Sequence, residues 1–249
     1  MNNSEICIII PTYNNEKTLS AVIDSVLKYI PSIVVVNDGS TDETNCILEQ
    51  YKEKIKIVSY AINRGKGFAL QCGFEYAREQ GFKYALTIDS DGQHYADDIP
   101  LFIDAKEKYP DALIIGNRNL TQENIPRKNV FANRFSNFWF ALQTGTKLTD
   151  TQTGYRLYPL KKMKHLKPFT SRYEAELEML VRCAWCGIKL ISIPIKVYYP
   201  PENERVSHFR PGVDFFRIFM LNTLFVVLAV GYGYPSMFFR YLVKRYELK

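Results

Sequence analysis

The 249 residues are 47% hydrophobic and 23% charged, a balance that excludes a disordered chain and a polytopic membrane protein. A chain of this length can bury a full core without disulfide or metal staples. The formal net charge of +6 is unevenly spread, with 12 basic and 17 acidic side chains in residues 1–120 against 20 and 9 in residues 121–249. An acidic first half suits a divalent cation, and a basic second half suits an anionic partner or a membrane surface. Cys7, Cys46, Cys72, Cys183 and Cys186 form an odd, scattered set, which points to a reducing, cytosolic setting. Cys183 and Cys186 lack the second ligand pair of a zinc site and are expected one helical turn apart in a packed helix.

Strand and helix patterns alternate through the first 116 residues. Ile6–Ile10 is a uniformly apolar run halted by Pro11, as expected of a strand covered on both faces. Thr18–Tyr29 puts Leu19, Val22, Ile23, Val26 and Leu27 on one helical face. Ile33–Val36 is a second strand, and Ser40-Thr41-Asp42-Glu43 has the form of a capping box opening a helix through Tyr51. Ile55–Tyr60 is a strand, Gly65–Gln80 a helix stopped by Gly81, Tyr84–Ile88 a strand, Ile99–Tyr109 a helix and Ala112–Ile115 a strand. Beyond residue 117 the regularity fades. Asn129–Gln143 and Tyr173–Cys186 read as helices, Thr149–Arg156 as a polar loop and Leu190–Val197 as a strand. The fold class is α/β, a Rossmann-like, mostly parallel sheet with helices on both faces.

In such sheets ligands bind beyond the carboxyl ends of the strands. Each of the first four strands is followed by polar or turn residues: Pro11-Thr12-Tyr13-Asn14-Asn15, Asn37-Asp38-Gly39-Ser40, Asn63-Arg64-Gly65-Lys66-Gly67 and Asp89-Ser90-Asp91-Gly92-Gln93-His94. Asp89 and Asp91, one residue apart at a tight turn, can share a hard cation, with Gln93 as a third oxygen. An acidic turn without a ligand has the same composition. Asp38 can accept a hydrogen bond from a nucleobase or simply shape its turn, and Tyr13 can stack on a base or cap the rim. The Arg64–Gly67 loop could face phosphate at a helix start, but it lacks P-loop spacing.

Ile9–Asn15, Val35–Asp42, Asn63–Gly67 and Asp89–Gln93, in that order and spacing, resemble family 2 glycosyltransferases of the GT-A fold. Asp150-Thr151-Gln152-Thr153-Gly154-Tyr155-Arg156 is similar to a loop of the dolichyl-phosphate mannosyltransferase and polyprenyl-phosphate glycosyltransferase branch. The resemblance implies an inverting, metal-dependent transfer of sugar from a nucleotide-sugar donor, UDP- or GDP-linked, to a lipid-linked acceptor, either a polyprenyl phosphate or a glycolipid hydroxyl. It assigns Pro11, Thr12, Tyr13 and Asp38 to the nucleotide, with Lys66 and Arg156 near the diphosphate or acceptor. Mg²⁺ or Mn²⁺ would be held by Asp89, Asp91 and Gln93. Asn37 stands where the family usually has Asp, Asn15 where it often has Glu, and Phe131 where a Ser tends to help hold the acceptor phosphate.

A hydroxyl acceptor needs a general base. Glu174, Glu176 and Glu178 lie on the predicted Tyr173 helix, and Glu174 is the first choice, with a solvated helix face expected for at least one of the three. Residues 1–116 would form the nucleotide-sugar half and 117–212 the acceptor half of one domain, with 213–249 a hydrophobic, membrane-associated tail. Arg205, His208 and Arg210 fall in the loop before the tail and could meet phosphate or flank a membrane. Ile218–Phe239 carries no charge over 22 residues, long enough to span a bilayer. Gly231, Gly233 and Pro235 break the run and basic residues flank both ends, so the expectation is two short helices bent at 231–235, lying in the cytoplasmic leaflet. A soluble helix packed on the domain is the alternative. A nucleotidyltransferase competes as a function, but the Gly-rich basic start it favours after the first strand is missing. A non-catalytic nucleotide-sugar-binding adaptor would not need the acidic pair. No motif suggests nucleic acid, since the basic excess is diffuse.

Overall fold

The computed structural model describes residues 3–119, 127–199 and 211–247. Among the described residues seven strands form one sheet: β1 (Ile6–Thr12), β2 (Ile33–Asp38), β3 (Lys56–Tyr60), β4 (Tyr84–Thr87), β5 (Leu113–Arg118), β6 (Arg156–Pro159) and β7 (Leu190–Ile195). Their order is β3-β2-β1-β4-β6-β5-β7, all parallel except β6, which runs antiparallel to both β4 and β5. The helices are α1 (Leu19–Leu27), α2 (Thr44–Tyr51), α3 (Lys66–Glu79), α4 (Ile99–Lys108), α5 (Arg127–Thr144), α6 (Glu174–Trp185), α7 (Pro211–Leu228) and α8 (Tyr234–Glu247).

The period-two geometry of a strand explains the uniform apolar runs. Ile6, Ile8 and Ile10 meet Leu19, Val22, Ile23, Phe102 and Ile103 of α1 and α4 on one face. Cys7 and Ile9 meet Leu70, Phe74, Leu180 and Phe225 of α3, α6 and α7 on the other. Each such buried side chain contributes about 1.5–3 kcal/mol.

Three expectations are corrected. β1 does not stop at Pro11 but continues to Thr12, pairing Pro11 with Val36. β4 pairs with β1 only as far as Ile9, so the N–H that proline lacks is not needed by a second neighbour. α2 starts at Thr44, not at a Ser40 cap. The Ser40 hydroxyl instead accepts the Asn14 amide, and Asp42 accepts the amides of Thr44 and Glu16. The end of the polar 149–156 loop becomes β6, inserted between β4 and β5.

The tail is two helices joined without a break, and their junction falls in the stretch where the sequence places a bend. α7 passes through a π turn at Ala229–Gly233 into α8. A π turn shifts the hydrogen-bond register by one residue, which accommodates Pro235 and its missing N–H near the start of α8. Its inner face packs on the domain through Leu221, Phe225 and Ala229. Tyr234 donates to the Leu142 carbonyl, and the Ser236 hydroxyl donates to the Trp185 carbonyl. Val213, Phe216, Met220, Leu224, Val227, Val230, Phe238 and Tyr241 are exposed. Residues Gly212–Val243 form a helix long and apolar enough to cross a membrane, with 28% of its apolar window buried.

Candidate active site

The carboxyl ends of β1, β2, β4 and β5 share one rim, and the antiparallel sense of β6 brings its amino end there too, with Arg156 opposite Thr87. This delivers the Asp150–Tyr155 loop to the acidic turn after β4. Thr87 donates its hydroxyl to the Gly154 carbonyl at 2.6 Å. Gly154 then lies so close to the turn that a methyl group on it would sit 2.6 Å from Asp89 Oδ2 and 2.9 Å from Lys66 Nζ.

Ser90 is pinned from two sides, its hydroxyl accepting from Asn15 Nδ2 and its carbonyl from Thr18 Oγ1, both at 2.6 Å. This leaves Asp89 and Asp91 at the rim. Lys66 Nζ lies 2.7 Å from Asp89 Oδ1 and 2.9 Å from Glu176 Oε2. Burial resists both charges, but the lysine–carboxylate attraction wins, holding Asp89 below its usual range and Lys66 above its own. Among the described residues no cation forms an ion pair with Asp91. Burial, followed by the charge of Asp89, pushes its carboxyl up to about 6, although the Gln93 amide donates to it. A hard divalent cation suits this all-oxygen set of two carboxylates and the Gln93 side chain, and its charge would relieve the repulsion on Asp91. Among the described residues no group of three or more His, Cys, Asp or Glu converges as a metal centre.

Lys66 reaches this cluster because α3 is pressed against the start of α6. A methyl group on Gly67 would overlap Ala175 Cβ and come within 2.9 Å of the Arg172 carbonyl oxygen. In this structure the glycines of the Asn63–Gly67 motif serve helix approach. Asp38 shapes the same loop: buried at the end of β2, its carboxylate accepts the Arg64 amide at 2.7 Å, the Gly65 amide at 2.8 Å and Asn63 Nδ2 at 3.0 Å. Gly39, at φ +71°, lies where a side chain would strike the Asn63 amide. Pro11 and Thr12 end β1 in buried positions, Tyr13 is half-buried beside them, and the buried Thr12 hydroxyl has no hydrogen-bond partner among the described residues.

Arg156 and Glu174 are placed differently from expectation. Arg156 is fully buried beneath the rim, donating to the carbonyls of Glu176 (2.8 Å) and Thr151 (2.9 Å), so it braces two site segments from behind. Glu174 faces the tail, paired with Arg217 of α7 at 3.0 Å. None of the three glutamates is on a solvated face: Glu174, Glu176 and Glu178 are all buried. Glu178 accepts the amides of Phe169 and Thr170 and pairs with Arg182. Only Glu176 is seen to join the rim cluster. Phe131, at the position where the family tends to have Ser, is 70% exposed, and the Arg205–Arg210 segment lies outside the described residues.

Three further residues stand here: Arg118, which no motif marks, His94 at the end of the acidic turn, and Glu176 of the predicted helix. Arg118, at the end of β5, makes a bidentate pair with buried Asp150, at 2.7 and 2.9 Å. His94 packs on Tyr155, its ring nitrogens without hydrogen-bond partners among the described residues. Burial outweighs Asp89 and pushes the imidazole down to about 4, so it is neutral at neutral pH. Glu176 is the third. The one available signal was position, since Arg118 and His94 each follow a predicted strand on the same rim.

Residues 7–166 match the family profile described as glycosyl transferase family 2. The chain is 29% identical over 250 residues to the UDP-N-acetylglucosamine–dolichyl-phosphate N-acetylglucosaminyltransferase of Methanococcus voltae, covering 89% of this chain and 98% of that one. It is 26% identical over 200 residues to the polyprenol monophosphomannose synthase of Mycolicibacterium smegmatis, covering 76% and 75%. Among solved structures, the S. aureus TarS fragment 1–349 with UDP-GlcNAc superposes with a TM-score of 0.61 at 18% identity, covering 90% of this chain and 66% of that fragment. This chain therefore spans just under two thirds of it. Glucosyl-3-phosphoglycerate synthase from Mycobacterium tuberculosis, solved with Mn²⁺, UDP and glucosyl-3-phosphoglycerate, gives 0.60 at 18%, covering 91% and 80%. At that identity the likeness shows the GT-A-type fold alone.

Proposed function

The chain belongs to glycosyl transferase family 2 and is an enzyme of the glycosyltransferase type, and from that premise we propose that it moves one sugar from a UDP- or GDP-sugar to a polyprenyl phosphate, with inversion. The observation that carries this reading is the Asp89–Asp91 pair at the rim, poised beside Lys66. Relatives named for dolichyl-phosphate and polyprenol acceptors support the lipid. The acceptor phosphate oxygen would form its bond to the anomeric carbon as the bond from that carbon to the nucleoside diphosphate breaks.

Asp89, Asp91 and Gln93 would hold Mg²⁺ or Mn²⁺, which when bound offsets the charge developing on the departing diphosphate. Pro11, Thr12 and Tyr13 would line the nucleotide, with Asp38 fixing the loop beside it. A lipid phosphate is already an anion and needs no strong base. That agrees with Glu174 and Glu176 both being engaged by cations, Arg217 and Lys66, and favours a phosphate over a glycolipid hydroxyl. Residues 1–116 act in this reading as the donor half and 117–212 as the acceptor half.

The tail 213–249 would bind the cytoplasmic face of the membrane. Contacts from Leu221 to Ser236 keep it against the domain, so crossing the bilayer would drag polar surface into hydrocarbon. A helix lying in the interface buries the outward stripe without that cost. The test is incubation of the pure protein with polyprenyl phosphate, Mn²⁺ and a panel of labelled UDP- and GDP-sugars. Acid-labile label in the organic phase from one donor, abolished by chelator, is expected. Acid-stable lipid label would reassign the acceptor to a hydroxyl, and no lipid label from any donor would refute the reading.

A further inference from the structure

We propose that Glu176 is a positioning residue that sets divalent-cation affinity by holding Lys66 away from exclusive pairing with Asp89. The proposal rests on the metal-dependent reading above and adds a residue to it. Lys66 Nζ is shared, 2.7 Å from Asp89 and 2.9 Å from Glu176, with only 18% of its side chain exposed. One cation therefore serves two carboxylates, one of which belongs to the pair that would bind metal.

A divalent ion arriving at Asp89 and Asp91 meets Lys66 as a competitor for Asp89 and as a repelling charge. Glu176 answers the first by giving the ammonium a second anionic partner, so Asp89 can turn to the ion without leaving a buried lysine unpaired. The arrangement is closely packed. Gly67 lets α3 touch α6 at Ala175, Gly154 closes over Asp89 and Lys66, and fully buried Arg156 grips the Glu176 carbonyl at 2.8 Å. These three contacts converge on one side-chain triad and leave Lys66 little room to go elsewhere.

The test is Mn²⁺ titration of the full chain by electron paramagnetic resonance, alone and with saturating UDP or GDP, for wild type, Glu176→Gln, Lys66→Met and the double variant. Glu176→Gln should weaken Mn²⁺ binding on the order of tenfold. Lys66→Met should bind nucleotide-free Mn²⁺ more tightly than wild type. In the Lys66→Met background, Glu176→Gln should shift the Kd by less than roughly threefold, because no lysine remains to be held. If Glu176→Gln does not fold, Glu176→Asp enters the same cycle, with a smaller weakening that is again lost without Lys66. An unchanged Kd, or equal weakening with and without Lys66, overturns the proposal while wild-type binding keeps the metal reading intact. If wild type and Asp91→Ala bind Mn²⁺ alike under every condition, the metal reading fails and takes the proposal with it.

Discussion

Replacing Gly154 by alanine separates catalytic geometry from stability. The new methyl would lie 2.6 Å from Asp89 Oδ2 and 2.9 Å from Lys66 Nζ, whereas ordinary contact begins at 3.4 Å, so the carboxylate must retreat by roughly 0.8 Å. Both obstructing atoms are the ends of side chains, so the backbone can stay put and the stability loss should be about 1 kcal/mol or less, the low end for overpacking. The reacting geometry cannot absorb the shift so cheaply, since a displacement near 1 Å can cost on the order of a hundredfold in rate. Gly67→Ala is the contrast. There the methyl meets Ala175 Cβ and the backbone of Ser171 and Arg172, so α3 and α6 must part, costing about 2–3 kcal/mol and, for a chain of this size, roughly 4–12 °C in Tm. Thermal melts and kcat/KM for sugar transfer on both variants decide the matter. The expected pattern is a near-normal Tm with activity down about a hundredfold for Gly154→Ala, and a clearly lowered Tm for Gly67→Ala. A Gly154→Ala enzyme with wild-type kcat/KM would refute the claim that Gly154 fixes Asp89.

Asp150→Asn should destabilise the chain by about 3 kcal/mol or more, because it leaves Arg118 without its buried carboxylate. Although burial opposes ionisation, Arg118 holds Asp150 below its usual range. Wild-type stability from this pair is therefore present above about pH 4 and lost as pH falls through the folded value. Denaturant melts of Asp150→Asn should lack that acid limb, and a parallel pH profile for both proteins would count against it. Gly233→Ala would press a methyl to 2.5 Å from the Trp185 ring, which is tethered through Nε1 to the Gln143 carbonyl. The tail should loosen, measured as faster hydrogen exchange in α8, and unchanged exchange would refute this packing role. In a Cys46→Ser background, Val213→Cys and Val243→Cys should both react with an impermeant maleimide from the same side of sealed vesicles. Reaction from opposite sides would mean that the tail crosses the membrane.

The parallel part of the sheet was legible because strands covered on both faces must be apolar at every position, as Ile6–Ile10 and Ile33–Val36 are. β6 was not, since a four-residue run beginning with Arg156 and ending with Pro159 carries no such signature. Its place between β4 and β5 comes from pairing partners about 40 to 75 positions away. The α2 cap was misassigned because Ser40 spends its hydroxyl on Asn14, a contact between loops that local spacing does not encode. At the site, the rim rule located Asp38, Lys66, Asp89 and Asp91. It could not choose among Glu174, Glu176 and Glu178, because all three turn inward toward different partners: the tail, the rim and the 169–170 loop. Arg156 sat in a recognisable loop, yet only the register of β6 reveals that its guanidinium points beneath the rim.

The decisive comparison is transfer of label from the active nucleotide-sugar to polyprenyl phosphate by wild type and by Asp91→Ala, each verified as folded by circular dichroism. Chelator-sensitive, acid-labile lipid product is expected from the wild type and essentially none from Asp91→Ala. A fully active Asp91→Ala protein would contradict the metal-dependent reading.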